Sequence, residues 1–192
     1  MVVFRVNSEI SPRLVRILSD LAPETRRAIL SVGANALRIE IRRHIRADVP
    51  RRHVTASGLG ASPTGHLSKG AARITSHSTG SRAEVSVPIA GITRAYRDLE
   101  IRPVRAKSLT IPIADVSYGH RARELARMGW RIFRLPKTDI LAGSRNGETR
   151  ALYALKKRVT VRQDRSLLPS DEKIRTTIND AMARRIMEII GQ

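Results

Sequence analysis

The sequence predicts an α+β fold: a long N-terminal helix and a C-terminal helix packed on a mostly antiparallel β-sheet. Three observations predict it. Residues from Pro23 to about Ala47 carry apolar side chains at helical spacing. Residues 71–77 and 83–89 alternate apolar and polar around Thr79-Gly80-Ser81, as the two strands of a hairpin do. After Ser170 a final apolar stripe returns to helical spacing. Helices, then strands, then a helix, with no internal repeat, is the order of an α+β chain.

Taken in order, Met1 to Val6 is rich in β-branched and aromatic residues and reads as a short strand. Ser11 before Pro12 caps a short helix running to Leu21, because proline suits the first helical position. Pro23-Glu24 starts the long helix, which Val49-Pro50 ends. Glycine, serine and proline crowd the next stretch and predict a long flexible loop at about 50–70. In the first hairpin strand Ala72, Ile74 and Ser76 fall on one side, and in the second Val85, Val87 and Ile89 do. Ile101 to Val104 and Leu109 to Ile113 are extended, with Pro103 and Pro112 favouring sheet edges. Tyr118 to Met128 reads as a short basic helix, and Gly143 to Gly147 as a turn. Trp130 to Leu135, Ile140-Leu141 and Ala151 to Val161 read as strands. Ser170 caps the last helix, Asp171 and Glu172 suit its positive end, and Ile174, Ile178, Ala181, Met182 and Ile189 form its stripe. All 192 residues are expected to form one α+β domain, with an insertion-like region at about 115–147.

The long helix carries two apolar stripes. At about 100° per residue, Leu30, Ala34, Leu37, Ile41 and Ile45 fall together, while Ile29, Val32, Ala36 and Ile39 gather on roughly the opposite side. Arg38, Arg42 and Arg46 form a ridge between them. A surface helix of a monomer needs one apolar face. Two faces mean either a helix sandwiched within its own domain or a second stripe turned toward a neighbouring subunit.

Charge sets the functional question. Of 36 basic residues thirty are arginine, against 17 acidic ones, giving a net +19. A field of that size attracts polyanions, nucleic acid first among them. Arginine, with its planar fork, also suits paired contacts to carboxylates at protein interfaces. The aromatic share is only 3%, which leaves few rings for stacking on bases. Zinc-finger spacing, basic-zipper heptads and an RNA-recognition signature are all missing, and a second apolar stripe leaves the long helix little polar surface for a DNA groove. Cysteine is absent, which excludes disulfides and thiolate chemistry. The five histidines (44, 53, 66, 77 and 120) are scattered, with no metal-ligand spacing. Leu67-Ser68-Lys69-Gly70 lacks the leading glycine of a phosphate loop, and His120 beside Arg121 and Arg123 fits a solvated basic helix better than a nuclease centre. The expectation is no catalytic site, no cofactor and no metal. Met1 to Val6 followed by Asn7, Ser8 and Glu9 is no signal peptide, and no long apolar run is present. This predicts a protein made in a cytoplasm and no membrane partner.

The order of segments carries a resemblance. The long helix ends at Val49-Pro50-Arg51-Arg52, a loop leads into Thr64-Gly65-His66-Leu67, and a hairpin follows. Then come Tyr96, Glu100, Arg102-Pro103 and the stretch Ala106-Lys107-Ser108-Leu109-Thr110-Ile111-Pro112. In this order the chain resembles the tail-completion and head–tail joining proteins of long-tailed bacteriophages, a group that includes minor tail and tail-terminator-like proteins. The resemblance spans most of residues 25–190. It rests on Pro50, Thr64, Gly65, Leu67, Tyr96, Glu100, Arg102, Pro103, Lys107, Leu109, Ile111 and Pro112. Residues His53 to Pro63 are inserted relative to that pattern, and Ile101 stands where an aromatic residue and a glycine often follow the glutamate. The resemblance implies a structural virion protein, not an enzyme, that forms a homo-oligomeric, hexameric ring at the head-proximal end of the tail. Its implied partners are the tail tube protein, the head-side connector or neck proteins, and DNA passing through the lumen without sequence-specific contact. Residues Ile29, Val32, Ala36 and Ile39, with Arg38, Arg42 and Arg46, are the expected subunit interface.

Overall fold

The computed structural model describes residues 1–49 and 58–191. Along the chain run β1 (Val2–Arg5), α1 (Pro12–Ser19), α2 (Pro23–Ala47), α3 (His66–Ala71), β2 (Thr75–Ser78), β3 (Ala83–Val87), β4 (Leu99–Ile101) and β5 (Leu109–Pro112). There follow α4 (Ala122–Arg127), β6 (Arg131–Arg134), β7 (Ile140–Arg145), β8 (Glu148–Lys156), β9 (Val159–Val161) and α5 (Asp171–Ile190). The fold class is α+β, with every strand pairing antiparallel. Where the sequence predicts a single domain, the chain divides into two compact units. The first comprises the described residues of Met1–Arg51, His66–Arg97 and Gln163–Gln192, the second those of Arg52–Gly65 and Asp98–Arg162.

In the first unit β3 lies between β1 and β2. Its alternation puts Ala83, Val85 and Val87 into the core, with Phe4 of β1 directly opposite Val85. Against this face packs the first stripe of α2: Leu30, Ala34, Leu37, Ile41 and Ile45 are all buried. Burying each of the large aliphatic side chains contributes about 1.5–3 kcal/mol, which makes this stripe the main support of the unit. The α5 stripe (Ile174, Ile178, Ala181, Met182) is also buried, joined by Ile186, while Ile189 packs at its edge. Both helix starts are capped as the sequence suggests: Ser11 Oγ accepts from the Leu14 N–H at 3.4 Å, and Ser170 Oγ from the Lys173 N–H at 3.2 Å.

Two segments of this unit differ from expectation. The hairpin strand expected over 71–77 starts only at Thr75, with Ile74 buried and Ala72 and Ser76 exposed. The second is the loop before it. The predicted flexible loop at about 50–70 ends in a helix, α3, and its first part, 50–57, lies outside the described residues. Gly70 and Ala71 are buried, and a Cβ on Gly70 would sit 3.1 Å from Ile89. The glycine is there for close packing, and composition alone made it look like a breaker.

In the second unit β5, β8, β7 and β6 form one sheet in that order, and β4 pairs with β9 in a short ribbon. A core of Leu125, Trp130, Leu152 and Tyr153 forms on one side, with Ala114, Val116, Ala122, Ile132 and Leu141 packed against it. Tyr153 donates its hydroxyl to the His120 carbonyl at 3.0 Å, and the buried Ser117 hydroxyl lies 2.7 Å from the Leu152 carbonyl. The predicted Gly143–Gly147 turn shrinks to Asn146-Gly147, whose φ values of 52° and 81° fit a tight two-residue hairpin turn. Gly143 belongs instead to β7, and a Cβ there would lie 2.5 Å from Leu152 Cδ1. The basic helix expected from Tyr118 starts only at Ala122, because Gly119 turns the chain at a φ of 81°. The expected insertion region, about 115–147, supplies α4, β6 and β7.

Candidate assembly surface

Helix α2 buries one side and leaves another open. Val32 and Ala36 are half-buried and Ile39 is 53% exposed. Beside them Ala181, Arg184, Arg185 and Glu188 of α5 complete a shallow groove of about 590 Å³. One ion pair lies in the groove, Arg185 with Glu188, and another stands next to it on α2. Arg43 Nη2 donates to Glu40 at 2.7 Å, and Arg185 Nη1 to Glu188 at 2.9 Å. The hydrogen bond from Arg43, working against burial, holds the Glu40 carboxyl below its usual range. Arg38 is folded onto its own helix, donating to Asn35 Oδ1.

Two expected interface residues belong to the interior instead. Ile29 is fully buried in the core. It shares a side of α2 with Gly33, where α5 comes so close that a Cβ on Gly33 would lie 2.9 Å from Met182. The second helix closes on this side of α2, and a wheel projection could not tell from which side it would arrive. Arg42 donates through Nη2 to the carbonyls of Ala72 (2.9 Å) and Ile74 (2.6 Å), closing the end of α3 onto α2. Burial, followed by Arg38 and Arg46, lowers its guanidinium pKa from the usual value. Arg46 remains exposed on the ridge.

The motif residues are distributed over both units. In the second unit the Thr64 methyl lies where a Cβ on Gly119 would meet it at 2.9 Å, and Gly65 adopts a φ of 63°. In the first, Leu67 packs on the core. Tyr96 is 52% exposed in a cleft with Phe4, Glu9, Arg82, Asp171 and Arg175. Partial burial, then Asp171 and Glu9, push its phenol upward. Glu100, Arg102, Pro103, Lys107, Leu109, Ile111 and Pro112 all fall in the β4–β5 region of the second unit. Pro112 lies on β5, an edge strand as expected, whereas Pro103 lies beyond the end of β4, in the link to β5. Pro50 lies outside the described residues.

A clasp in the first unit had no sequence signal. Asp164 accepts from Arg94 Nη2 at 2.9 Å, from the Ser166 N–H at 3.1 Å and from the Ser166 hydroxyl at 2.5 Å. His44 Nε2 donates to the Ser166 carbonyl at 2.8 Å, while its Nδ1 lies 3.1 Å from Asp48. These bonds fix the turn that feeds α5. The Ser166 hydroxyl first, with burial opposing and the Ser166 N–H and Arg94 assisting, holds the Asp164 carboxyl below its usual range. Its contribution is therefore complete above the unfolded-state value of about 4 and is lost as pH falls through the lower folded-state value. Asp164→Ala is expected to cost about 2 kcal/mol at neutral pH, by urea unfolding. That deficit should shrink as the titration is carried below about pH 4. A deficit that persisted undiminished in acid would show that the carboxylate charge is not what holds the turn.

Among the described residues no three His, Asp or Glu side chains stand close enough to hold a metal ion, and no helix is long and apolar enough to cross a membrane. His120 faces Glu124 at 3.9 Å, both half exposed, beside the basic residues of α4. What the geometry defines is an α+β protein with an open apolar helix face and a dense arginine surface. The chain matches no protein-family model, no curated protein and no solved structure.

Proposed function

We propose that this chain is a structural subunit of a long-tailed bacteriophage virion, a tail-completion or tail-terminator protein that forms a ring at the head-proximal end of the tail. One observation carries the reading: Ile39 stays exposed, and Val32 and Ala36 partly so, on a helix whose opposite face is the core of its unit. A surface of this kind meeting a different patch on the next copy makes a heterologous contact, and such contacts form a ring when the rotation between copies closes. The order of the segments from Pro50 to Pro112 supports the phage assignment. Copies of a +19 subunit repel one another, so acidic neighbours strengthen a ring by offsetting part of its charge. The tail tube protein on one side and the head-side connector or neck proteins on the other would supply them, with DNA in the lumen as a further polyanion. Assembly takes place in the host cytoplasm and the product resides in the virion. A second reading, a non-specific nucleic-acid-binding protein, is favoured by the same net charge.

Mass photometry and negative-stain microscopy of the purified protein test the first reading. Rings or assembly-dependent oligomers are expected for the wild type, and monomers for Val32→Asp/Ile39→Asp with unchanged circular dichroism. A wild type that stays monomeric throughout the micromolar range, or a variant that assembles normally, would remove it. The second reading requires DNA affinity that falls steeply with salt, and a flat salt profile excludes it.

A further inference from the structure

In the second unit the β4–β9 and β5–β8 pairings follow one another as one interrupted ribbon. Ile101 pairs with Val159, and the next pair along is Leu109 with Lys156. Between these pairs the chain runs through residues 102–108 on one side but only 157 and 158 on the other. The longer side bulges out and leaves a groove of about 620 Å³ beneath it. Ile101, Leu109, Ile111, Val159 and Val161 form its aliphatic lining together with Val104, which is 95% exposed.

The charges around it are of one sign. Within residues 99–111 and 156–161 stand Arg102, Arg105, Lys107, Lys156, Lys157 and Arg158, against a single acid, Glu100. That acid is already held by Arg102. The lining argues against nucleic acid, because it offers no aromatic ring on which a base could stack and is aliphatic apart from Arg102, Arg105, Ser108 and Thr110. It argues against a second copy as well, since a +19 chain would bring more positive charge to a positive rim. Aliphatic side chains with arginines among and beside them have the composition of a protein interface.

We propose that this groove is a docking site for an acidic protein segment that carries aliphatic side chains. The aliphatic residues of the segment fill the space under the bulge and its carboxylates meet Arg105, Lys157 and their neighbours. This inference stands whether or not the chain forms a ring. Fluorescence anisotropy tests it with a labelled synthetic peptide of valines and leucines flanked by glutamates. Comparison probes are an all-glutamate peptide, a lysine-flanked version of the first, and single-stranded oligodeoxythymidine. The glutamate-flanked aliphatic peptide is expected to bind best. Its affinity should fall about tenfold or more in Val104→Ser/Ile101→Ser and in Arg105→Ala/Lys157→Ala, and stay unchanged in Arg13→Ala. Thermal melts check that each variant keeps the wild-type fold, and the exposure of the substituted side chains makes that the expected result. The proposal is overturned if no peptide binds, or if the all-glutamate peptide or the oligonucleotide binds as tightly and ignores Val104→Ser/Ile101→Ser. Loss of self-association in that variant would identify a second copy as the occupant and would overturn it too.

Discussion

Gly143→Val is expected to unfold the four-stranded sheet of the second unit, at a cost of about 3 kcal/mol or more. Even the first carbon of a side chain at this position would lie 2.5 Å from Leu152 Cδ1, 3.0 Å from Trp130 Cε3 and 3.1 Å from Ile132 Cδ1. Leu152 is fully buried and Trp130 nearly so, which leaves neither an open direction in which to retreat. Valine gains at most about 1 kcal/mol of strand propensity over glycine, so overpacking wins. Hydrogen exchange across Ile140–Lys156 and urea unfolding would measure it. Faster exchange should appear in β7 and β8 while the amides of α2 and β3 keep their protection. Wild-type exchange in β7 would mean that the close approach of Leu152 and Trp130 to this glycine does not exist.

Gly143 also shows where sequence reasoning runs out. Glycine in a run with Asn146-Gly147 signals a turn, and only the tertiary contact with Leu152 and Trp130 reveals a strand residue that must lack a side chain. Gly70 misled in the same way. By contrast α2 was legible at both ends, because proline at its first position and an apolar period of nearly seven turns leave little ambiguity. The Ser170 cap and the α5 stripe were legible for the same local reasons. Long-range pairings carry no such local mark. Arg94 and Asp164 are seventy positions apart, and nothing near either predicts the other. The open surface was partly legible: periodicity located Val32, Ala36 and Ile39, yet it also included Ile29, which is fully buried in the core. Likewise Arg102-Pro103 and Leu109–Pro112 stood out as a motif. That they frame a bulge in a ribbon depends on β4 finding β9, some sixty residues away.

Gly33→Leu is expected to separate the stability of the first unit from its capacity to assemble. A glycine inside a helix costs about 1 kcal/mol relative to alanine, so its place at the middle of α2 needs a reason. The reason is α5: a Cβ on Gly33 would meet Met182 Cγ and Sδ at 2.9 Å and Ile178 Cγ2 at 3.4 Å. Methionine is flexible enough to yield to a single methyl group. In Gly33→Ala the helix-propensity gain should therefore roughly cancel the strain, within about 1 kcal/mol. Leucine adds a branched side chain that Met182 and Ile178 cannot both avoid, and α5 must move away at a cost of about 3 kcal/mol. That shift also widens the groove between Val32 and Ala36 on α2 and Arg184 and Arg185 on α5. The leucine variant should consequently melt earlier and fail to assemble, whereas Val32→Asp/Ile39→Asp should melt like the wild type and still fail to assemble. A Gly33→Leu protein with a wild-type melting temperature would contradict the close helix contact. One that melts early yet forms wild-type oligomers would move the subunit contact away from the α2–α5 groove.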